Sequence, residues 1–365
     1  MTNVAVFFGG KSSEHEISVI TGLFAVNLLR SAGYCVHPVL IDVEGELYYK
    51  QSLREVDEIV EKRGLVRVRV ERGLLVTAGK KRKTVASIDC ALNACHGGEG
   101  EDGTLSALLA WNGIPLASPP MPVSAVFMDK SYARVVAKGL EIPVLPAFRV
   151  REEEWEKDAC AVFLKAKDLG YPLVVKPARL GSSIGVSVAF CEEELSEALS
   201  LAFRLDHSAV VEFYLKGKRD VNCAAYSCNG KTICSLCEEV FSSSHVLTFS
   251  EKYEGEKSSR FPAQLPQEVS EKIQAYTARM YEEFDCRGVV RADFLYADGE
   301  VYFNEMNTVP GSFAYYLFGK TVSSARDFLK LLVDDCMATK RAEKKVIYTG
   351  ILRRTAFGAK GKLHV

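Results

Sequence analysis

The chain has 365 residues, 48% hydrophobic and 25% charged, a length that points to two or three domains and a composition ordinary for a globular enzyme. Its 46 Lys and Arg are balanced by 47 Asp and Glu, for a formal net charge of -1, so no global basic field favours nucleic acid or an anionic membrane as a partner. No apolar run is long enough to span a bilayer, no signal peptide is evident, and the odd count of 11 cysteines at irregular spacing suggests reduced thiols, so a cytoplasmic location is expected.

In chain order, Val4–Phe8 is predicted as a strand that runs into the Gly9-Gly10 turn and then a helix. Ser13 and Glu16 match a capping box at the helix start, Ile17, Ile20, Phe24 and Leu28 mark one buried face, and Gly33 ends the helix. Val36–Ile41 is the next strand, and the strand–helix–strand order predicts a parallel sheet with helices on its faces. Gly10-Lys11-Ser12 looks like the end of a P-loop, but Ala5 stands inside a strand where that motif needs glycine. Glu14 in the first helical turn is favoured by the helix dipole alone; as an exposed carboxylate at the end of the first strand it could also hold a substrate ammonium. His96 follows another strand-like run and has little weight by itself. Gly98-Glu99-Gly100-Glu101-Asp102-Gly103 matches G-x-G-x-x-G, yet its three carboxylates would repel a pyrophosphate.

A boundary is expected near Leu116–Pro122, where Ser118-Pro119-Pro120 punctuates the chain. Lys130 begins a predicted helix, either as a surface lysine or within reach of a phosphate. Tyr171–Pro177 and Val186–Phe190 are predicted strands joined by a glycine- and serine-rich loop. In that loop Gly181 and Gly185 let backbone amides approach a polyphosphate, and Lys176 adds a point charge; the alternative is a plain mobile hairpin loop. After Glu212-Phe213-Tyr214 come antiparallel-type strands, with a helix over Ile273–Phe284. Cys234 and Cys237 form a lone C-x-x-C that reads as core thiols rather than zinc ligands. Gly358 to Val365 form a basic tail.

The strongest local chemistry lies over Gly288–Asn307, predicted as a hairpin turning at Asp298-Gly299. A three-residue loop, Ala297–Gly299, would pair Tyr296 with Glu300 and set Arg291 opposite Glu305. Arg291, Asp293, Glu305 and Asn307 would then share one face, whereas a two-residue loop would put Asp293 and Glu305 on opposite faces. Two carboxylates and an amide oxygen suit Mg²⁺, which also takes phosphate oxygens, and an arginine beside them could stabilise developing negative charge. The same face also reads as an ordinary solvated surface with ion pairs.

Taken together, six stretches resemble the D-alanine–D-alanine ligase family, whose members have the ATP-grasp fold. They are Phe8 to Ser18, His96 to Thr104, Val175–Gly185, Ser250-Glu251-Lys252-Tyr253, Arg291-Ala292-Asp293, and Asn304-Glu305-Met306-Asn307-Thr308-Val309-Pro310-Gly311. They occur in the family's order over nearly the whole chain.

The resemblance implies an α/β fold with an N-terminal parallel-sheet domain (1–117), a central subdomain (118–215) and a C-terminal subdomain (216–365) with the metal hairpin and a closing loop, the last two clamping ATP. It implies ATP-dependent joining of two D-alanines through an acyl phosphate, for peptidoglycan synthesis. Glu14 would bind the first substrate's ammonium and link through Ser182 to Tyr253, and His96 would help place that substrate. Lys130, Lys176 and Lys252 would contact ATP phosphates, with Ser183 beside them. Glu212, Leu215 and Asp220 would hold the adenosine. Asp293, Glu305 and Asn307 would ligate two Mg²⁺, with Mn²⁺ able to replace them, while Arg291 and the Gly311 amide would stabilise the tetrahedral oxyanion. A homodimer is also implied.

Two positions depart from the family pattern. Tyr315 and Tyr316 replace the usual His-Ser pair, which makes Tyr316 the candidate contact for the second substrate and leaves a different second amino acid as the alternative. Asp220 stands where glutamate is common. A nucleotide-dependent oxidoreductase built on the glycine triplet, and a homologue that has lost catalysis, are the remaining rivals; the intact lysines, Arg291 and carboxylates argue against the latter.

Overall fold

A computed structural model describes residues 1–62, 64–241, 259–339 and 347–349. Among these residues the strands form three sheets. The first holds β1 (Asn3–Gly9), β2 (Cys35–Ile41), β3 (Leu47–Tyr49), β4 (Val66–Glu71), β5 (Leu74–Thr77), β6 (Thr84–Ser87) and β7 (Cys90–Asn93), in the order β6-β5-β4-β3-β2-β1-β7. The expected parallel pairing holds for β2, β1 and β7, while β3 to β6 extend the sheet antiparallel, so the sheet is mixed.

The run Val4 to Phe8 is apolar at every position because β1 is covered on both faces. Val4, Val6 and Phe8 enter one core and Ala5 and Phe7 the other, as the two-residue alternation of a strand requires. The first core is filled by Val19, Leu23 and Val26 of helix His15–Ser31 and by Phe328, Leu329 and Leu332 of helix Val322–Ala338. The last described helix of the chain therefore packs with the first. The second core takes Leu105 and Leu109 from helix Thr104–Trp111.

Two details of the first helix differ from expectation. The capping box of Ser13 and Glu16 does not form; Glu14 is the N-cap, without a side-chain cap, and its amide donates to Ser12 Oγ at 3.2 Å. The start is set by a tie to another loop, since Ser12 Oγ itself donates to the His96 carbonyl at 2.6 Å. Ile20 is 58% exposed rather than buried, because the side of the helix it shares with Ile17 lines a cavity.

The second sheet is antiparallel, in the order β10-β9-β11-β8, from β8 (Ala147–Arg151), β9 (Leu173–Pro177), β10 (Ser187–Ala189) and β11 (Ser208–Phe213). The third, also antiparallel, contains β12 (Arg219–Cys228), β13 (Lys231–Cys234), β14 (Glu238–Val240), β15 (Ser259–Arg260), β16 (Val289–Ala297) and β17 (Glu300–Asn307). Helix Gln267–Glu283 covers it, as do Val123 and Phe127 of helix Met121–Met128 and Ala133 and Ala137 of helix Lys130–Gly139. Of the C-x-x-C pair, Cys237 is buried in this core, as expected, and Cys234 is partly buried against it.

Candidate active site

Between the three sheets lies a cavity of about 1080 Å³. Its wall includes Glu14, His96, Lys130, Lys176, Ser182 and Ser183; Glu212, Leu215 and Asp220; Arg291, Asp293, Glu305, Asn307, Gly311 and Tyr316. These are the candidate residues read from sequence, apart from Lys252 and Tyr253, which lie outside the described residues, as does the basic tail.

Glu14 is 7% exposed rather than open to solvent, yet it faces the cavity. Ser182, on the loop between β9 and β10, donates its hydroxyl hydrogen to Glu14 Oε1. A Cβ added at Gly97 would fall 2.9 Å from Glu14 Oε2, and one at Gly181 3.0 Å from it, so two glycines make room for this carboxylate. Ser182 and Ser183 both take left-handed backbone (φ 52 and 58), a conformation uncommon for residues with a Cβ.

His96 is buried between elements far apart in sequence. Its Nδ1 lies 2.9 Å from the Val309 carbonyl and its Nε2 3.0 Å from Thr21 Oγ1. Burial lowers its pKa and keeps the ring neutral, so Nδ1–H donates to the carbonyl and Nε2 accepts from the Thr21 hydroxyl. Glu101 bridges the same two regions: Oε2 accepts from the Gly97 amide at 2.9 Å and Oε1 from the Val309 amide at 3.2 Å. Burial, reinforced by the charge of Glu14, pushes its pKa up to about 7.

The hairpin differs in register from expectation, with the same outcome for its faces. Ala297 pairs with Glu300, so the turn is the two-residue Asp298-Gly299, both residues at positive φ (51 and 85) as a type I′ turn requires. An uninterrupted ladder from that turn would set Asn304 opposite Asp293 and Glu305 opposite Ala292, on the core side. A β-bulge intervenes between Phe294 and Asp293: Phe294 pairs with Phe303, Asp293 with Glu305 and Arg291 with Asn307, leaving Asn304 as the extra residue. The signal was present in the sequence. Val301 and Phe303 alternate, but the next core residue is Met306, three positions on instead of two.

On the resulting face Arg291 donates to both oxygens of Asp293 at 2.8 Å, and Asn307 Nδ2 donates to Asp293 Oδ2 at 3.1 Å. Lys130 Nζ donates to the Leu180 carbonyl at 2.6 Å and lies 3.4 Å from Glu305 Oε2. Asp129, as N-cap, accepts from the Ser131 amide at 2.8 Å and so anchors the helix that begins at Lys130. Among the described residues no group of three or more His, Cys, Asp or Glu is arranged as a metal cage. The donor set still fits a hard cation, because two carboxylates and an amide oxygen face a cavity with room for phosphate oxygens to complete the coordination.

Lys176 donates to Glu212 Oε1 at 2.9 Å and to Asn304 Oδ1 at 3.0 Å. Glu212 also accepts from Arg134, whose guanidinium reaches the Leu145 carbonyl as well. Burial opposes the charge of Glu212, but Lys176 and Arg134 outweigh it and hold the carboxyl below its usual range. Asp220 is paired with Lys218 Nζ at 2.5 and 2.7 Å. Glu101, Arg134 and Asn304 were not foreseen as site residues. Arg134 stands four residues after Lys130, on the same helix face, which was a usable sign.

Gly311 opens a tight kinked turn, Gly311–Leu317, in which Ser312, Phe313 and Ala314 take left-handed backbone (φ 50, 57 and 49). This turn buries Phe313 and presents Tyr315 and Tyr316 to the cavity. Tyr315 packs on Phe24 with ring centroids 5.5 Å apart, and the Tyr316 hydroxyl lies 3.4 Å from Arg291 Nη1.

Residues 3–119 match the family model described as D-ala D-ala ligase N-terminus, and residues 136–335 the one described as D-ala D-ala ligase C-terminus. A D-alanine–D-alanine ligase of Chlorobium phaeovibrioides is 34% identical over 320 residues, covering 84% of this chain and 88% of that protein. Among solved structures, the D-alanine–D-alanine ligase of Helicobacter pylori superposes with a TM-score of 0.77 at 25% identity, covering 92% of this chain and 98% of that one. The VanG D-Ala:D-Ser ligase of Enterococcus faecalis does so with a TM-score of 0.76 at 28% identity, covering 91% and 99%.

Proposed function

The chain belongs to the D-alanine–D-alanine ligase family, and we propose that it joins two molecules of D-alanine at the expense of ATP, forming D-alanyl-D-alanine for peptidoglycan synthesis. The observation that carries this reading is that one cavity is lined by Glu14 and Lys130, at the starts of two helices, by Lys176 of the second sheet and by Arg291, Asp293 and Glu305 of the third.

A carboxylate is a poor acyl donor, because its leaving group is oxide. Glu14, held by Ser182, takes the ammonium of the first D-alanine, and neutral His96 helps orient that substrate. Lys130 and Lys176 offer point charges to the ATP phosphates, with Lys252 as a third; Ser183 sits on the loop beside them, and Glu212, Leu215 and Asp220 receive the adenosine. Transfer of the γ-phosphoryl group makes an acyl phosphate. The neutral amine of the second D-alanine attacks it, its carboxylate directed by Tyr316, while Arg291 and the Gly311 amide stabilise the tetrahedral oxyanion. Phosphate then leaves with the peptide bond made. Asp293, Glu305 and Asn307 would hold Mg²⁺, two ions by family resemblance, with Mn²⁺ able to substitute; when bound, the metal neutralises the crowded phosphate oxygens. The two carboxylates facing each other across the hairpin support that assignment.

D-Alanine is favoured over a different second amino acid by the name carried by the homologous ligase of Chlorobium phaeovibrioides. A cytoplasmic site of action is supported by eleven free cysteines, and no described helix is long and apolar enough to cross a membrane. A homodimer is inferred from the family alone.

The test is ADP release with a panel of D- and L-amino acids, followed by mass analysis of the dipeptide. D-Alanine alone should give ADP and D-alanyl-D-alanine. No ADP with any amino acid would defeat the ligase reading, and a mixed dipeptide as main product would move the acceptor assignment.

A further inference from the structure

Lys176 and Asn304 meet across two sheets. Lys176 stands on β9 of the second sheet; Asn304 is the bulge residue of β17 in the third, and its Oδ1 accepts from Lys176 Nζ at 3.0 Å. The bulge leaves both Asn304 and Glu305 facing the cavity, where a regular strand would turn one of them away. The lysine's other partner, Glu212, is itself fixed by Arg134. An ammonium group has three donors, and these two acceptors orient it so that the third is available to the cavity.

We propose that Asn304 is a positioning residue for the nucleotide: its amide oxygen holds the Lys176 ammonium against the hairpin, so that the charge meeting the ATP phosphates is set at a fixed distance from Asp293 and Glu305. One residue thereby serves two ends, shifting the phase of the hairpin and tying the second sheet's lysine to it. This rests on the reading of Lys176 as a phosphate contact.

Three variants test it in the full chain: Asn304→Leu, Lys176→Met and the double variant Lys176→Met with Asn304→Leu. The readouts are kcat and KM for ATP from ADP release, and the ATP dissociation constant by calorimetry without amino acid. Asn304→Leu should raise KM and the dissociation constant for ATP about tenfold, the usual effect of losing one hydrogen bond to a charged group, while kcat changes less than about threefold. In the Lys176→Met background, Asn304→Leu should change ATP affinity by less than about twofold, because coupled residues do not add.

The proposal is overturned if Asn304→Leu leaves ATP affinity unchanged, or if the leucine effect adds in full to that of Lys176→Met. If Lys176→Met leaves ATP affinity untouched, the phosphate role of Lys176 falls and that of Asn304 with it. A parent protein that binds ATP but releases no ADP defeats the ligase reading alone, and the calorimetry still decides Asn304. Should the leucine variant not fold, Asn304→Ser, too short to reach Lys176, takes its place.

Discussion

Ser182 and Glu14 stand 168 residues apart in the chain, and the hydroxyl of the first donates to the carboxylate of the second, with both residues buried. The contact joins the β9–β10 loop to the start of the first helix. On the proposed reading, a substrate ammonium at Glu14 would meet a carboxylate whose orientation depends on where that loop lies.

Replacing Glu14 with Gln keeps the shape and removes the charge. KM for the first D-alanine should rise about 10- to 100-fold, the range for a lost hydrogen bond between charged groups, while KM for ATP moves little. Ser182→Ala should give a smaller change in the same direction. Steady-state ADP release at varied D-alanine reads both; equal KM values in Glu14→Gln and the parent would remove Glu14 from the ammonium site.

Glu101 makes stability depend on pH. Its folded pKa of about 7 lies above the ordinary 4.5, so the folded chain binds a proton that the unfolded chain has released. Its contribution is fully present below about 4.5 and is lost as pH rises to about 7. The parent should accordingly lose thermal stability relative to Glu101→Ala across that window, although the variant gives up both amide contacts at every pH. Parallel melting curves at pH 4.5 and 7.5 would rule this out.

Arg134 and Glu212 form an ion pair with both side chains almost fully buried. Arg134→Met leaves Glu212 with Lys176 as its remaining cation among the described residues and removes a donor from the Leu145 carbonyl. Breaking a buried pair from one side costs about 3–5 kcal/mol, so the urea midpoint should fall sharply. Arg134→Lys should recover only part of this, since an ammonium group lacks the guanidinium's planar fork. An unchanged midpoint for Arg134→Met would mean that solvent reaches the pair.

Metal removal separates the solvated-face reading of the hairpin from the cation site. Chelation of divalent ions should abolish ADP release, with Mg²⁺ or Mn²⁺ restoring it. Asp293→Asn should raise the Mg²⁺ concentration for half-maximal rate by at least about tenfold. Full activity in excess chelator would leave Asp293 and Glu305 as ordinary ion-pair partners.

Tyr316→Phe removes a hydroxyl that lies beside Arg291 and faces the cavity. The KM of the second D-alanine should rise about 3- to 10-fold, the loss of one hydrogen bond, with little effect on ATP. Product analysis with D-serine present would show whether the same hydroxyl selects the acceptor.

Much of this arrangement was legible residue by residue. The unbroken apolar run Val4 to Phe8 marked a strand covered on both faces, and that is where it lies. Asp298-Gly299 marked the hairpin turn, and the placement of Arg291, Asp293, Glu305 and Asn307 on one face followed from alternation, although the loop was one residue shorter than expected and the bulge made up the difference. Glu101 was passed over because a glycine triplet rich in carboxylates is a poor pyrophosphate loop. Its use is to bind two amides, Gly97 and Val309, far apart in the chain.

The sequence alone determined what depends on near neighbours: strand, turn and helix follow from side-chain periodicity and backbone preference over a few residues, and the order of motifs carried the family and its chemistry. Tertiary structure decided what depends on burial and distant contacts. Phe303 and Met306 both enter the core while Glu305 must face the cavity, and only a bulge satisfies all three. Glu14, Glu101 and Glu212 take their character from partners that no local pattern names. Burying a carboxylate is costly unless donors from elsewhere in the fold converge on it, and only the folded chain brings those donors together.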